Sequence, residues 1–397
     1  MASPKLRFKE FDGEWSSTNL LDISALITKG TTPRVFKDGD INFLKIEAIN
    51  GNSFDLNKCQ SISREIHEKE LKRSMLQSGD ILFAIAGATI GKNAIVTDDI
   101  LPANTNQALA IIRLKNINET SFVSKILNSP IMEKYIDENI SVGAQPNLNL
   151  QQIGNFSFFK PESAEQTKIA SFLSAVDEKI AQLTQKHELL SQYKQGMMQN
   201  LFSQQIRFKA DDGSEFGEWE EKELKEVAQV NPKVKKLPDE FIYIDLESVE
   251  KGQLLLEKNI SLIDAPSRAQ RLLSKGDVLF QMVRPYQQNN YYFNLDGQYV
   301  ASTGYAQIRT DLNSKFIYFA LHEKAFLDEV MNRCTGTSYP AINSSDLSSI
   351  EIQIPCLEEQ TKIANFLSAI DQKIEVVAQQ IEQAKQWKKG LLQQMFV

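Results

Sequence analysis

The chain has 397 residues, 42% hydrophobic and 24% charged, a balance that suits a soluble globular protein with room for two cores and excludes a disordered one. The longest apolar run, 81–91, is too short to cross a bilayer, and the N-terminal stretch MASPKLRFKEFDGEW has no apolar core of signal-peptide length. The net charge of −7 argues against a nucleic-acid partner only until it is localised.

Residues 1–160 carry 18 basic and 18 acidic side chains, whereas 207–355 carry 17 and 23. The excess lies in 211–226, where eight acids face only Lys222 and Lys225. Both long stretches are otherwise neutral, so bulk charge leaves DNA open. Cys59, Cys334 and Cys356 form no CxxC pair and the three histidines are scattered. No disulfide framework, zinc site or other metal site is expected, and the location expected is cytoplasmic.

In chain order, Gly13-Glu14-Trp15 opens a first head, and Gly217-Glu218-Trp219 opens a second. Residues 41–49 (INFLKIEAI) alternate as a half-buried strand, and 241–249 (FIYIDLESV) answer them. SGDILF at 78–83 matches KGDVLF at 275–280, and AIIR at 110–113 matches AQIR at 306–309. A Gly/Pro/Asn/Ser-rich loop, 142–150 or 335–344, precedes a short strand in each head. Frameworks agree while loops differ, which predicts two mixed α/β heads of short strands.

Each head is closed by the same helix. Residues 165–202 return without a gap as 359–396, at a spacing of 194. Ile169, Leu173, Val176, Ile180, Leu183 and Leu190 mark a 3.5-residue period continued by Met197 and Leu201. The second copy gives Ile363, Leu367, Ile370, Ile374, Val377 and Ile381, continued by Ala384, Leu391 and Met395. Such a period over about five heptads is a coiled-coil seam, and the copies are expected to pair antiparallel within one chain. Pro161 and Pro355 set the two helix entries. Lys194 and Lys388 fall on the stripe, where they either snorkel out of the seam or fix its register as buried polar groups.

Catalytic motifs are only approached. Gly87-Ala88-Thr89-Ile90-Gly91-Lys92 falls one residue short of a phosphate-binding loop and lacks its Ser or Thr, so Lys92 reads better as a contact to phosphate or base. Asn231-Pro232-Lys233 lacks the second proline and the aromatic of a methyltransferase tetrapeptide. His67, His187 and His322 have no paired acid or nucleophile.

The loops hold groups suited to DNA. Arg284, Tyr286, Gln287, Gln288 and Asn289 combine a guanidinium, a ring and amides of the kind that read base edges. Lys29, Thr31, Thr32 and Arg34, with Lys233 and Lys235 at the matching place, suit phosphates. Lys45, Thr89, Gln145, Asp245, Ser338 and Tyr339 complete the candidate set. Lys45 and Asp245 differ at one equivalent position and are expected to set specificity. Glu47 and Glu247 agree and are expected to support the fold.

The chain resembles the specificity subunit of a Type I restriction-modification enzyme over essentially its whole length. The resemblance rests on the twin E-Q-x-K-I-A-x-F-L-[SA]-x-[IVL]-D-x-K-I segments at 165–180 and 359–374, continued by K-x-G-[LM]-[LM]-Q at 194–199 and 388–393. GEW, I-T-K-G-x-T-P at 27–33, I-G-K at 90–92 and V-R-P-Y at 283–286 support it. It implies target-recognition domains at 1–160 and 207–355 and conserved helices at 161–206 and 356–397. The heads would be separated by an antiparallel two-helix coiled coil with internal pseudo-twofold symmetry.

It further implies a non-catalytic subunit that reads one half of a split DNA site with each head. Two adenine-N6 methyltransferase subunits and ATP-dependent restriction motor subunits would dock on it. S-adenosylmethionine, ATP and Mg would be held by those partners, and no cofactor by this chain. A helix of this length spans roughly 57 Å, and inward-leaning heads could meet the roughly 34–36 Å of one DNA turn. Adding four residues to both helices is then expected to lengthen the gap between half-sites. Arg284→Ala is expected to cost roughly 1–3 kcal/mol if Arg284 reads a base. The alternatives are a specificity subunit for a fused methyltransferase-nuclease and a coiled-coil protein adaptor.

Overall fold

The computed structural model describes residues 3–140 and 146–397. They form two compact units, Met1–Thr184 with Gln379–Val397, and Gln185–Ala378. Each unit therefore contains one head, the first part of the helix that closes it, and the last part of the other long helix.

Unit 1 runs through β1 (Ser16–Asn19), β2 (Ser24–Lys29), β3 (Ile41–Leu44), β4 (Gln60–Ile62), β5 (Ile81–Ala84), β6 (Asn93–Ile95), β7 (Ala103–Thr105), β8 (Leu109–Leu114), α1 (Thr120–Leu127), α2 (Pro130–Asn139) and β9 (Ser157–Lys160) into α3 (Ser163–Phe202). Its main sheet is antiparallel in the order β2–β8–β5–β6. All four residues of β5 are buried, which is why this strand reads as a continuous apolar run. A second sheet, β4–β3–β7, contains the parallel pair β3–β7. The short ladder β1–β9 lies before the helix entry.

Unit 2 repeats the plan through β10 (Glu220–Glu223), β11 (Gln229–Val230), β12 (Glu240–Ile244), β13 (Lys258–Ser261), β14 (Ala269–Leu272), β15 (Val278–Gln281), β16 (Tyr291–Tyr292), β17 (Tyr299–Ser302), β18 (Tyr305–Arg309), α4 (Ser314–Ala320), α5 (Lys324–Arg333), β19 (Glu351–Ile354) and α6 (Leu357–Met395). Its sheets are β11–β18–β15–β16, β13–β12–β17–β14 and β10–β19. The strand β14 is an addition. Unit 1 has only the isolated bridge Met75–Asn104 at that place.

One ion pair explains the G-D and A-x-I-R matches. Asp80 is fully buried and takes two hydrogen bonds from Arg113, at 2.7 and 2.8 Å. Asp277 and Arg309 repeat the fork at 2.8 Å for both bonds. A bidentate, satisfied pair joins the strand turn to the centre of the sheet. The strands expected over 41–49 and 241–249 are shorter than predicted. They end at Leu44 and Ile244, where the chain folds back so that Ala48 N–H reaches Lys45 O and Ser248 N–H reaches Asp245 O. A polar residue placed for such a turn ended the alternation.

The E-Q start of each long helix has an equally specific cause. Glu165 is buried and takes a fork from Arg7, 2.7 Å on each oxygen, while Gln166 donates back to Pro161 O at 2.8 Å. Glu359 takes the same fork from Arg207, at 3.1 and 2.7 Å, and Gln360 donates to Pro355 O at 2.8 Å. Arg7-Phe8-Lys9 and Arg207-Phe208-Lys209 are therefore a further repeat, which sequence comparison missed. Phe8 meets Phe172 edge-on, and Phe208 meets Phe366 likewise.

The helix segments run antiparallel in each unit. Leu391, Met395 and Phe396, at the end of α6, are buried with Ile169, Leu173 and Val176 at the start of α3. Leu201, at the end of α3, is buried with Ile363, Leu367 and Ile370. Leu183 and Val377 are also buried, while Ile180, Leu190, Ile374 and Ile381 are half-buried. This is the expected α/β architecture with its antiparallel helix pair. The seam lysines meet acids on the facing helix, Lys388 with Asp177 and Lys194 with Asp371, each at 2.6 Å. Both lysines thus end on a carboxylate across the seam, each still about a quarter exposed.

Candidate nucleic-acid interface

In unit 1 the ends of β2 and β5, the β7–β8 turn and the loop before Leu150 converge at one end of the main sheet. They line an open cleft of about 510 Å³ that includes Lys29, Gln107, Asn147, Asn149 and Gln151. Lys29 is exposed there, and the chain turns at Gly30 directly against the backbone. A Cβ at Gly30 would fall 2.1 Å from Asn106 O, so no other residue fits. Thr31 N–H then bonds Thr105 O at 2.9 Å, and the Thr32 hydroxyl bonds Gln107. Arg34 is exposed, and its backbone N–H bonds Glu70 at 2.7 Å. Lys45 Nζ lies 5.4 Å from the centre of the Phe36 ring. Thr89 is exposed and Lys92 half-buried on the loop after β5. Gln145 lies outside the described residues.

Unit 2 brings the matching loops together. Asn231 bonds Ser344 at 2.7 Å, Arg284 N–H bonds Pro340 O at 2.7 Å, and Lys251 N–H bonds the Asn289 side chain at 3.0 Å. The guanidinium of Arg284 lies 4.3 Å from the centre of the Tyr339 ring, a cation–π contact that holds its plane. Tyr286, Ser338 and Tyr339 are exposed, as are Lys233 and Lys235.

The hydrogen bonds divide the amides of this loop. Gln281 donates to Val283 O and to Gln287 at 2.8 and 2.9 Å, and accepts from Asn289 N–H at 3.0 Å. Asn290 accepts from Gln281 N–H at 2.8 Å. Gln287 and Asn289, expected to read bases, thus each spend their side-chain oxygen on the loop itself. Asp245, expected to set specificity, is also engaged within the fold. It accepts from Lys258 at 2.6 Å and from Ser248 at 2.8 Å. Burial opposes its charge, yet the lysine and the hydroxyl together hold the carboxyl below its ordinary range. Its residue type differs from Lys45 because it pins a turn.

Glu47 and Glu247, expected to support the fold, are both exposed. The acidic stretch of the second head lines a different cleft, of about 640 Å³, with Glu218, Glu220, Glu226 and Asp311. That cleft meets β18 at Arg309, whereas the loops that hold Arg284 and Tyr339 lie toward its Tyr305 end. The acidic stretch of this unit therefore lies toward the other end of β18 from the loop cluster. Among the described residues no His, Cys, Asp and Glu cluster could hold a metal ion, and no helix is long and apolar enough to cross a membrane.

Residues 13–192 and 217–386 each match the profile of the Type I restriction modification DNA specificity domain. The Type I restriction enzyme MjaVIII specificity subunit of Methanocaldococcus jannaschii is 23% identical over 97% of this chain and 94% of its own length. The Type I restriction-modification S subunit from M. genitalium has the same fold, with a TM-score of 0.61 at 15% identity over 100% of this chain and 99% of that one. A solved chain of the Type I system, from work on its complex assembly and conformational transition, gives 0.57 at 18% identity over 95% and 96%. With both heads and most of both helices inside the matched domains, this chain belongs to the family of Type I restriction-modification specificity subunits.

Proposed function

We propose that each head reads one half of a bipartite DNA site and that the helix pair recruits the subunits that act on it. The observation that carries this reading is the duplicated loop cluster. Two heads share one buried frame, down to the Asp80–Arg113 and Asp277–Arg309 forks, yet present different side chains at the same end of the sheet. A duplicated frame with divergent loops suits two readers of two different half-sites. Exposed Lys29, Arg34, Lys233 and Lys235 surround the loops and suit phosphates, which position a reader without informing it.

Recruitment is supported by apolar side chains left open on the long helices. Tyr193 and Trp387 occupy the same position of the repeat and are 50% and 54% exposed. A surface duplicated in this way suits two copies of one partner, the adenine-N6 methyltransferase, with ATP-dependent motor subunits completing the restriction form. The chain itself acts without catalysis or bound cofactor. S-adenosylmethionine, ATP and Mg belong to the partners, and the complex works in the cytoplasm.

Methylome sequencing of a strain with and without this gene tests the proposal. The expected result is adenine methylation at one motif with two unlike halves and a fixed gap, lost with the gene. An unchanged methylome, together with no salt-sensitive DNA retention by the reconstituted complex, would sink it in favour of a protein adaptor.

A further inference from the structure

Two residues of the recognition loop in unit 2 occupy left-handed backbone: Arg284 at φ 55°, ψ 53° and Gln288 at φ 51°, ψ 34°. The same two places in unit 1 are glycines, Gly87 at φ 79° and Gly91 at φ 93°. The correspondence is set by the backbone and not by sequence likeness. Gly87 N–H bonds Pro146 O at 3.1 Å where Arg284 N–H bonds Pro340 O at 2.7 Å. The bridge Ala86–Asn147 matches Val283–Ala341, and both loops wind one 3₁₀ turn, Gly87–Thr89 and Pro285–Gln287.

Glycine enters this region freely, whereas Cβ crowding makes it unfavourable for any other L residue. Unit 1 shows that glycine serves the loop. Unit 2 nevertheless carries long side chains at both places, and strain that the fold does not need points to a use. The remaining side chains agree. Gln281, Gln287, Asn289 and Asn290 are bonded within the loop region, which over-determines its shape. Among the described residues the Arg284 guanidinium has the Tyr339 ring but no hydrogen bond or ion pair, and the Gln288 amide has no hydrogen bond. The loop thus holds two free side chains on a braced and strained base.

We propose that Arg284 and Gln288 are the base-reading side chains of the second head. Arg284 takes the O6 and N7 edge of a guanine, with Tyr339 as its positioning residue, and Gln288 takes an adenine beside it. The first head has glycine at both places, so it reads its half-site through other positions. This assignment rests on the DNA-reading function proposed above and adds which side chains, in which head, carry it.

The test uses the full chain assembled with its methyltransferase subunits, acting on a randomised DNA library read by methylation sequencing. Arg284→Gly and Gln288→Gly each convert a position to its counterpart in the first head. The expected result is a melting temperature equal to or above the parent's. Discrimination should fall about tenfold or more at a single base pair of one half-site. That pair should be a guanine for Arg284 and an adenine for Gln288, with the other half-site untouched. Tyr339→Ala should weaken selection at the guanine alone, and Arg284→Lys should not restore it, because a lysine lacks the planar fork.

The assignment is overturned if Arg284→Gly keeps full selectivity, if it weakens every sequence equally as a phosphate contact would, or if it lowers the melting temperature while selectivity stays. A parent complex that marks no bipartite sequence would instead overturn the function itself, so the two failures are distinguishable.

Discussion

The seam aspartates of the two units are the same residue of the repeat with different burdens. Asp177 accepts from Lys388 at 2.6 Å, from Lys125 at 2.5 Å and from Asn52 at 2.5 Å. Asp371 accepts from Lys194 at 2.6 Å, and the place held by Lys125 in α1 is taken in α4 by Phe319, whose ring lies 5.3 Å from Lys194 Nζ. Unit 1 ties head to helix by charge, and unit 2 ties it by a ring. The lysine–aspartate contact across the seam is the constant. What each head builds beside it is free to change, provided the buried charge stays matched.

That difference predicts an asymmetry in stability. Lys125 is 7% exposed, and Asp177 keeps its charge below the ordinary carboxyl range against burial only through the two lysines. Asp177→Asn leaves Lys125 buried without a counter-charge, a loss of about 3–5 kcal/mol. Asp371→Asn leaves Lys194 with water and the Phe319 ring, and should cost about 1 kcal/mol. Denaturant midpoints of the two variants measure this, and equal losses would remove the distinction.

The helix entries give a smaller contrast. Glu359 accepts from Trp219 Nε1 at 3.1 Å as well as from Arg207, whereas the buried Trp15 Nε1 has no partner among the described residues. Both Glu→Ala changes release an arginine. Only Glu359→Ala also strands an indole N–H, so it should cost more than Glu165→Ala by about 1 kcal/mol. The same midpoints decide it, and the reverse order would mean that Trp219 adds nothing.

A third contrast is one of pH. Asn93 accepts from Ser124 and Asn128 at 2.9 and 3.2 Å, while its counterpart Asn290 meets His322 Nε2 at 3.3 Å. Nδ1–H of His322 donates to Tyr318 O at 2.7 Å, which leaves Nε2 to accept. Burial pushes this imidazole down to about 4, with Lys194 adding to the effect and Asp371 opposing it. The unfolded ring takes a proton below about pH 6.5, whereas the folded ring refuses it until about pH 4. Stability from this group is therefore present above pH 6.5 and lost as pH falls between those values, by on the order of 3 kcal/mol. His322→Asn, the residue that unit 1 uses, should flatten that slope in denaturation measured from pH 7 to 4. An unaltered slope would place its origin elsewhere.

Sequence reading reached the frame by way of the repeat. Two heads, two seams and the G-D and A-x-I-R matches were legible because buried groups tolerate little exchange. It overran 41–49 and 241–249 because periodicity cannot show a turn closed by one hydroxyl or one carbonyl. It missed Arg7-Phe8-Lys9, whose copy lies 200 positions on, because nothing in three residues shows that the arginine forks onto a glutamate 158 or 152 residues away. The recognition loops were legible only as composition. Gln287 and Gln288 look alike in sequence, and only hydrogen bonding and φ separate a brace from a free side chain.

Glu47 and Glu247 mark where agreement between copies stops implying support. Both lie within the turn that follows β3 or β12, and both side chains are exposed. Beside them, Ala48 and Ser248 are buried and the backbone bonds to residues 45 and 245 close the turn without using the carboxylates. Glu47→Ala and Glu247→Ala should each shift stability by no more than about 0.5 kcal/mol. If either costs more than twice that, the carboxylate supports its turn after all. If neither does, an identical exposed acid in both heads is a surface feature that the turn does not use.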